Sequence, residues 1–245
     1  MRKVQILATI AFLSTAAAPA LAQDDKGSDG GWQFVVQPYF LLPSMNGSSG
    51  VGPINASVDV STKQVLDNLN IGFLGYVEAS KGDFAFGIDT NYMNLDATPN
   101  AQRVNADVGQ LAVQPMLFYR LGPSFELMAG ARFNRITVEL QSQLPIIGDR
   151  KATQKWTDPI VGFRFQSPVA GNFGFGLLAN IGGFGIGSDI SYQVRPMVNF
   201  DISSSISIDA GYQWAYMDYK TGEGLRRFSY DVMTTGPILG VSFRF

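Results

Sequence analysis

Ile190-Ser191-Tyr192-Gln193-Val194-Arg195-Pro196-Met197-Val198-Asn199-Phe200 alternates without a break. One side carries Ile190, Tyr192, Val194, Pro196, Val198 and Phe200; the other carries Ser191, Gln193, Arg195, Met197 and Asn199. Successive side chains of a strand point to opposite faces, so a period of two specifies a strand with one apolar and one polar face. The same pattern recurs over 71–79, 125–133, 173–181 and 206–214. A soluble β-sandwich also alternates. Three features point instead to a bilayer. Several alternating stretches outrun the roughly 5–6 residues of a typical soluble strand. The polar faces hold Gly, Asn, Gln and Arg rather than Lys and Glu. Aromatic residues gather near segment ends, at Trp32, Tyr39, Phe40, Tyr92, Tyr119, Trp156, Trp214, Tyr216 and Tyr219, and are read as interfacial girdles. Hydrocarbon offers the backbone no partners, so strands cross it only as a closed barrel. The expected fold is all-β, a transmembrane antiparallel up-and-down β-barrel.

Composition agrees. The 245 residues include 27 Gly and are 46% hydrophobic, with 18 Lys+Arg against 20 Asp+Glu and no His or Cys. The apolar content excludes a disordered chain. The absence of a basic excess excludes nucleic acid as a partner by charge. Without Cys there is no disulfide framework, and without Cys or His the usual zinc sites are missing, so no metal or cofactor is expected. Arg2 and Lys3, an apolar run and Ala20-Leu21-Ala22 read as a secretory signal peptide over 1–22. A short periplasmic segment is expected over 23–31 and the barrel over 32–245, with the N-terminus periplasmic after cleavage. Export without cysteine suits the envelope of a Gram-negative bacterium.

Strands are expected near 32–43, 70–80, 84–95, 105–120, 124–140, 153–166, 172–183, 189–201, 205–219 and 228–245. Tight turns such as Lys81-Gly82-Asp83 and Leu121-Gly122-Pro123 largely alternate with longer connections, as short periplasmic turns and longer outer loops do. That makes ten strands, with eight or twelve as alternatives; Ala56 to Val60 is the stretch that could add another. The segment 44–69 is read as a surface loop with a short helix near 62–69, because Ser61 and Gln64 form a capping-box pattern before Val65 and Leu66; a segment that covers the barrel mouth or folds into it is the alternative.

Taking apolar positions as outward places Glu78, Asp89, Glu126, Asp158, Asp201 and Asp209 in the lumen with Arg120, Arg132, Arg164, Arg195 and Arg244. Arginine pairs bidentately with carboxylates, so a ladder of ion pairs can close such an interior. The same groups can line a narrow pore of weak charge preference, since no ring of one sign forms. Inward glycines, among them Gly87, Gly130, Gly162 and Gly211, leave room or ease curvature. Arg150, Lys151, Arg226 and Arg227 lie in or near outer loops and are candidate contacts for lipopolysaccharide phosphates, with a plain solvated rim as the alternative.

The chain ends Gly240-Val241-Ser242-Phe243-Arg244-Phe245. This resembles the C-terminal recognition strand of bacterial outer-membrane barrels, and it implies that Gly240, Phe243 and Phe245 form the signal read by the barrel-assembly machinery. The stretches Trp32 to Tyr39, Val60 to Asp67 and Glu78 to Asp89 resemble an uncharacterised group of small proteobacterial outer-membrane barrels. The chain is broadly similar to the superfamily holding the outer-membrane protein A transmembrane domain and the W-type barrels. That resemblance implies a location among outer-membrane lipid and lipopolysaccharide and carries over no activity. Outer-membrane enzyme families use a catalytic histidine, so no enzyme is expected here. Two functions stay open: a narrow passive channel for small solutes, and a non-conducting structural or surface-interaction barrel closed by Arg–carboxylate pairs. Of the second, Arg132, Arg195, Asp158 and Asp209 are expected to be paired.

Overall fold

A computed structural model describes residues 31–52, 54–97, 104–142 and 150–245. The signal peptide over 1–22 and almost all of the segment 23–31 lie outside the described residues. Ten strands close into a ring: β1 (Gln33–Leu41), β4 (Leu69–Lys81), β5 (Phe84–Ala97), β6 (Val104–Gly122), β7 (Phe125–Ser142), β8 (Arg150–Ala170), β9 (Phe173–Gly182), β10 (Ile190–Asp201), β11 (Ile206–Thr221) and β12 (Phe228–Arg244). Every neighbour is antiparallel, and β1 pairs with both β4 and β12. Where β1 lies between β12 and β4 the ring is closed, which is what a bilayer demands of a sheet. The ends of the chain are stitched together there, with Phe34 N donating to Phe245 O at 3.0 Å and Phe245 N to Phe34 O at 2.9 Å.

Connections are tight at the end that holds the termini. β4 turns into β5 around Gly82, whose φ of +59° suits glycine and strains a residue with a Cβ. The opposite end carries the longer connections. The shortest ring strand has 9 residues and β8 has 21. A tilted strand needs roughly 9–11 residues to cross hydrocarbon. All ten therefore span, and β6, β7 and β8 continue past the bilayer on the loop side.

The outer face is an apolar belt. Phe34, Phe73, Phe86, Leu117, Phe133 and Leu239 are all exposed on it. In water such a continuous surface is an aggregation hazard, whereas in lipid it is solvated.

The reading of 44–69 as a surface loop is corrected. It forms a hairpin of β2 (Ser44–Val51) and β3 (Ile54–Val60), and only then the helix α1 (Thr62–Asn68). β12 is longer than β1, so its upper half, Phe228 to Thr235, has an open side on which β2 pairs. β3 pairs with β2. The expected helix is present with its capping box: Gln64 N donates to Ser61 Oγ at 3.3 Å and Ser61 N to Gln64 Oε1 at 2.8 Å. Val65 is its buried residue.

Candidate functional site

Strict alternation carries one set of side chains from each ring strand into the lumen, where they form three levels. Nearest the turn end, Arg164 on β8 is the hub. Its Nε reaches Glu126 Oε2 on β7 at 2.5 Å, and its other nitrogens bind Glu78 and, at 3.2 Å, the Tyr76 hydroxyl, both on β4. The Tyr76 hydroxyl also donates to Glu78. The guanidinium lies 4.0 Å from the centroid of the Phe118 ring. Around it pack Ala85, Met116, Met128 and Ile160, all buried. Arg120 meets Glu126 at 3.5 Å, and Arg244 meets Asp201 at 2.9 Å; both pairs include a partly exposed partner at the rim.

The middle level crosses the barrel. Arg195 on β10 pairs with Asp89 on β5 at 2.8 Å. In the ring order β5 is third and β10 eighth of ten, so these strands face each other across the full bore. The Tyr39 hydroxyl on β1 donates to Asp89 at 2.6 Å, and Arg195 Nη2 donates to Gln213 on β11 at 2.6 Å. The band continues through amides: Gln193 to Gln213 at 2.9 Å, Asn180 to Gln193 at 3.1 Å, Arg132 to Asn180 at 2.7 Å and to Gln114 at 2.8 Å. Buried polar groups are costly unless bonded, and here they satisfy one another.

The third level, toward the loops, is aromatic. Trp156 and Tyr219 stack at 4.1 Å with an interplanar angle of 6°, and Ile136, Phe228, Tyr230 and Val232 complete the cluster. Met45 of β2 and Val58 of β3 pack against it. The hairpin therefore contributes to the cover over the bore. Trp156 Nε1 donates to Ser188 Oγ at 3.0 Å, which ties the cluster to the connection between β9 and β10.

Of the charged residues read as inward, Asp89, Glu126, Arg132, Asp158, Arg195 and Asp209 are buried and Arg120, Asp201 and Arg244 lie partly exposed at the rim, and their partners differ from the expected ladder. Asp158 faces Arg132 directly in the β7–β8 register. It nevertheless accepts from Ser188 N at 2.6 Å, Ser188 Oγ at 3.0 Å and Asn134 Nδ2 at 3.2 Å. Asp209 is held by Gln37 at 2.8 Å and Ser242 at 2.5 Å. Of Arg132, Arg195, Asp158 and Asp209, only Arg195 has an ion-pair partner among the described residues. Backbone and hydroxyl donors lay closer to the two aspartates than any guanidinium, so amides and hydroxyls close much of the lumen where Arg–carboxylate pairs were expected. The girdle reading also needs correction. Tyr39, Trp156 and Tyr219 are buried inside, whereas Trp32, Phe40, Tyr119 and Trp214 are exposed.

The residues that sequence reasoning missed are Gln114, Asn180, Gln193 and Gln213, together with Tyr39, Tyr76 and Ser188. Parity was the available signal: Gln193 shares the face of Arg195, and Gln213 that of Asp209. The inward glycines are not empty space. A Cβ on Gly87 would lie 2.4 Å from the Tyr76 hydroxyl, which rests on that glycine.

At the loop end Arg226 is exposed, and Arg227 donates to Asn55 of β3 at 3.0 Å. Arg150 and Lys151 open β8 opposite Leu140 and Glu139; their side chains lie outside the described residues. At the other end Gly240 packs against Tyr39, while Phe243 and Phe245 are exposed on the outer face.

No protein-family model matches the sequence, and no curated protein is significantly similar to it. Solved structures are similar in shape. The outer-membrane protease OmpT of Escherichia coli is 10% identical over 90% of this chain and 99% of its own, with a TM-score of 0.55. The translocator domain of the autotransporter NalP of Neisseria meningitidis is 10% identical over 90% of each chain, with a TM-score of 0.43. The attachment invasion locus protein Ail of Yersinia pestis is 12% identical over 89% of this chain and 100% of its own, with a TM-score of 0.41. At such identities the likeness to OmpT is one of fold. Together with the apolar belt and the closed ring, it gives this chain the fold of an outer-membrane β-barrel.

Proposed function

We propose that this barrel is non-conducting: a membrane-embedded scaffold that presents its loop-end hairpin at the cell surface. The observation that carries the reading is the Asp89–Arg195 pair at 2.8 Å, which joins opposite walls of the bore. A wet pore keeps its charged groups apart and solvated. Here the mid-level groups are buried, with a packed apolar level on each side. A passive channel would require all three levels to part. Ten strands also sit near the size at which side chains fill a barrel, well below the roughly 16–18 that leave a channel.

In this reading the termini are periplasmic and the chain is not an enzyme. Gly240, Phe243 and Phe245 are the signal for the barrel-assembly machinery. Arg226 and Arg227 at the loop end, with Arg150 and Lys151 by their place in the sequence, are the candidate contacts for lipopolysaccharide phosphates. The test is single-channel current after refolding the barrel into a planar bilayer, with and without residues 46–66. Silence from both is expected, because the polar band seals the bore without help from the hairpin. Steady conductance from the folded intact chain would refute the reading. Current from the deletion alone would move the seal from the band to the hairpin.

A further inference from the structure

Between the amide band and the aromatic cluster lies a cavity of about 90 Å³. Met93, Met217, Tyr230 and Val232 are among its apolar walls, and Gln114 and Arg132 border it from the band. Arg132 is only 6% exposed. Its Nε donates to Gln114 and its Nη2 to Asn180, with a longer contact of 3.5 Å to Gln193. Nη1 has no acceptor among the described residues. The other two buried lumen arginines each hold a carboxylate, Arg195 that of Asp89 and Arg164 those of Glu78 and Glu126. Arg132 has none among the described residues, because Asp158 opposite it is committed to Ser188 and Asn134.

A guanidinium stays charged and offers five donors in a fixed fork. Neutral amides compensate only part of the cost of burying it. The carboxylates nearest to it, Asp158 and Asp89, make no hydrogen bond to it, and an anion in the adjoining space would supply one. Polar side chains such as Asn91, Gln110 and Thr234 also border the space, but most of its exposed wall is apolar, so a mainly apolar remainder suits the ligand best. The geometry points to a binding site for a small aliphatic monocarboxylate, with its carboxylate on Arg132 and its chain between Met93, Met217 and Val232. A cavity that admits benzene has roughly 150 Å³, so this smaller one suits about three or four carbons. The flexible methionines can yield to a slightly longer chain. The site goes beyond the closed-barrel reading and does not depend on it, since a ligand can lodge in either a sealed or a leaky lumen.

Butyrate is the probe, titrated into the refolded full barrel carrying ¹³C-methyl methionine. Saturable shifts of the Met93 and Met217 methyl signals are expected, with no such shifts from butyramide or chloride. Arg132→Gln should weaken binding on the order of tenfold to a hundredfold, the range for a lost hydrogen bond to a charged group. Arg132 also braces the band, so Ala112→Leu serves as the second variant: it fills the cavity, leaves Arg132 in place and should abolish the shifts. Ala112 lines the cavity beside Gln110 and Gln114. No saturable shift in the folded wild-type barrel overturns the site. So do equal shifts with butyramide or chloride, or unchanged binding in both variants. A conducting barrel that still binds butyrate would refute the closed lumen and leave the site standing. A silent barrel that does not bind would do the reverse.

Discussion

Replacing Arg195 with Met measures how dry the lumen is. The substitution keeps most of the side chain's length and removes its charge. Asp89, 1% exposed, would keep the Tyr39 hydroxyl as a donor and lose its only ion-pair partner among the described residues. The bonds from Arg195 to Gln213 at 2.6 and 3.0 Å and to Tyr39 at 3.3 Å would go as well. Breaking one side of a buried pair costs roughly 3–5 kcal/mol, because an uncompensated charge stays behind. The same pair in a water-filled bore is worth about 0–1 kcal/mol. The two cases differ by on the order of a hundredfold or more in the folding equilibrium. The assay is urea unfolding of the barrel in lipid vesicles, followed by tryptophan fluorescence. The double variant Arg195→Met with Asp89→Asn should recover a large part of the loss, since the stranded charge is then absent. A loss below about 1 kcal/mol in the single variant, or no recovery in the double, would refute the dry, load-sharing lumen.

Two further outcomes follow from packing. Trp156→Ala removes the centre of the loop-end cluster and the stack on Tyr219, and should cost roughly 3–5 kcal/mol in the same unfolding assay; near-ultraviolet circular dichroism should lose the band from this ring pair. Gly130→Ala places a Cβ 2.2 Å from the Pro115 carbonyl oxygen on the neighbouring strand, which is backbone and yields little. A loss of about 1–3 kcal/mol is expected, whereas Gly82→Asn, at a turn with open space and a left-handed φ that asparagine tolerates, should change stability by only a few tenths of a kcal/mol.

Much of this barrel was legible because its strands obey a local rule. The parity that places Arg195 inward on β10 does the same for Gln193, and the parity of Asp158 applies to Trp156 two residues before it. Treating Trp156, Tyr219 and Tyr39 as girdle residues gave their aromatic character more weight than their phase. An aromatic ring is equally at home at a lipid interface and in a packed lumen, so only the face it occupies separates the two. Ala56 to Val60, the stretch that could add a strand, lies in β3, but the first strand of the hairpin was obscured for a different reason. Asn46, Gly47, Ser48, Ser49 and Gly50 have low strand propensity, and what makes them a strand is the unpaired upper half of β12.

The sequence by itself determined the ten ring strands, the alternation of their faces, the tight turns and the capped helix. Each of these depends on side-chain alternation or on residues a few positions apart. Which groups would meet inside was decided only by closure of the ring. Tyr39 and Arg195 are 156 positions apart, yet they bond because the barrel places β1 and β10 within reach across the lumen. Asp158 passed over the arginine directly opposite it because the connection between β9 and β10 folds back and presents Ser188. Alternation sets a direction for every side chain, but a partner on another wall is chosen by ring order, register and the space left by neighbours, and those exist only in the folded barrel.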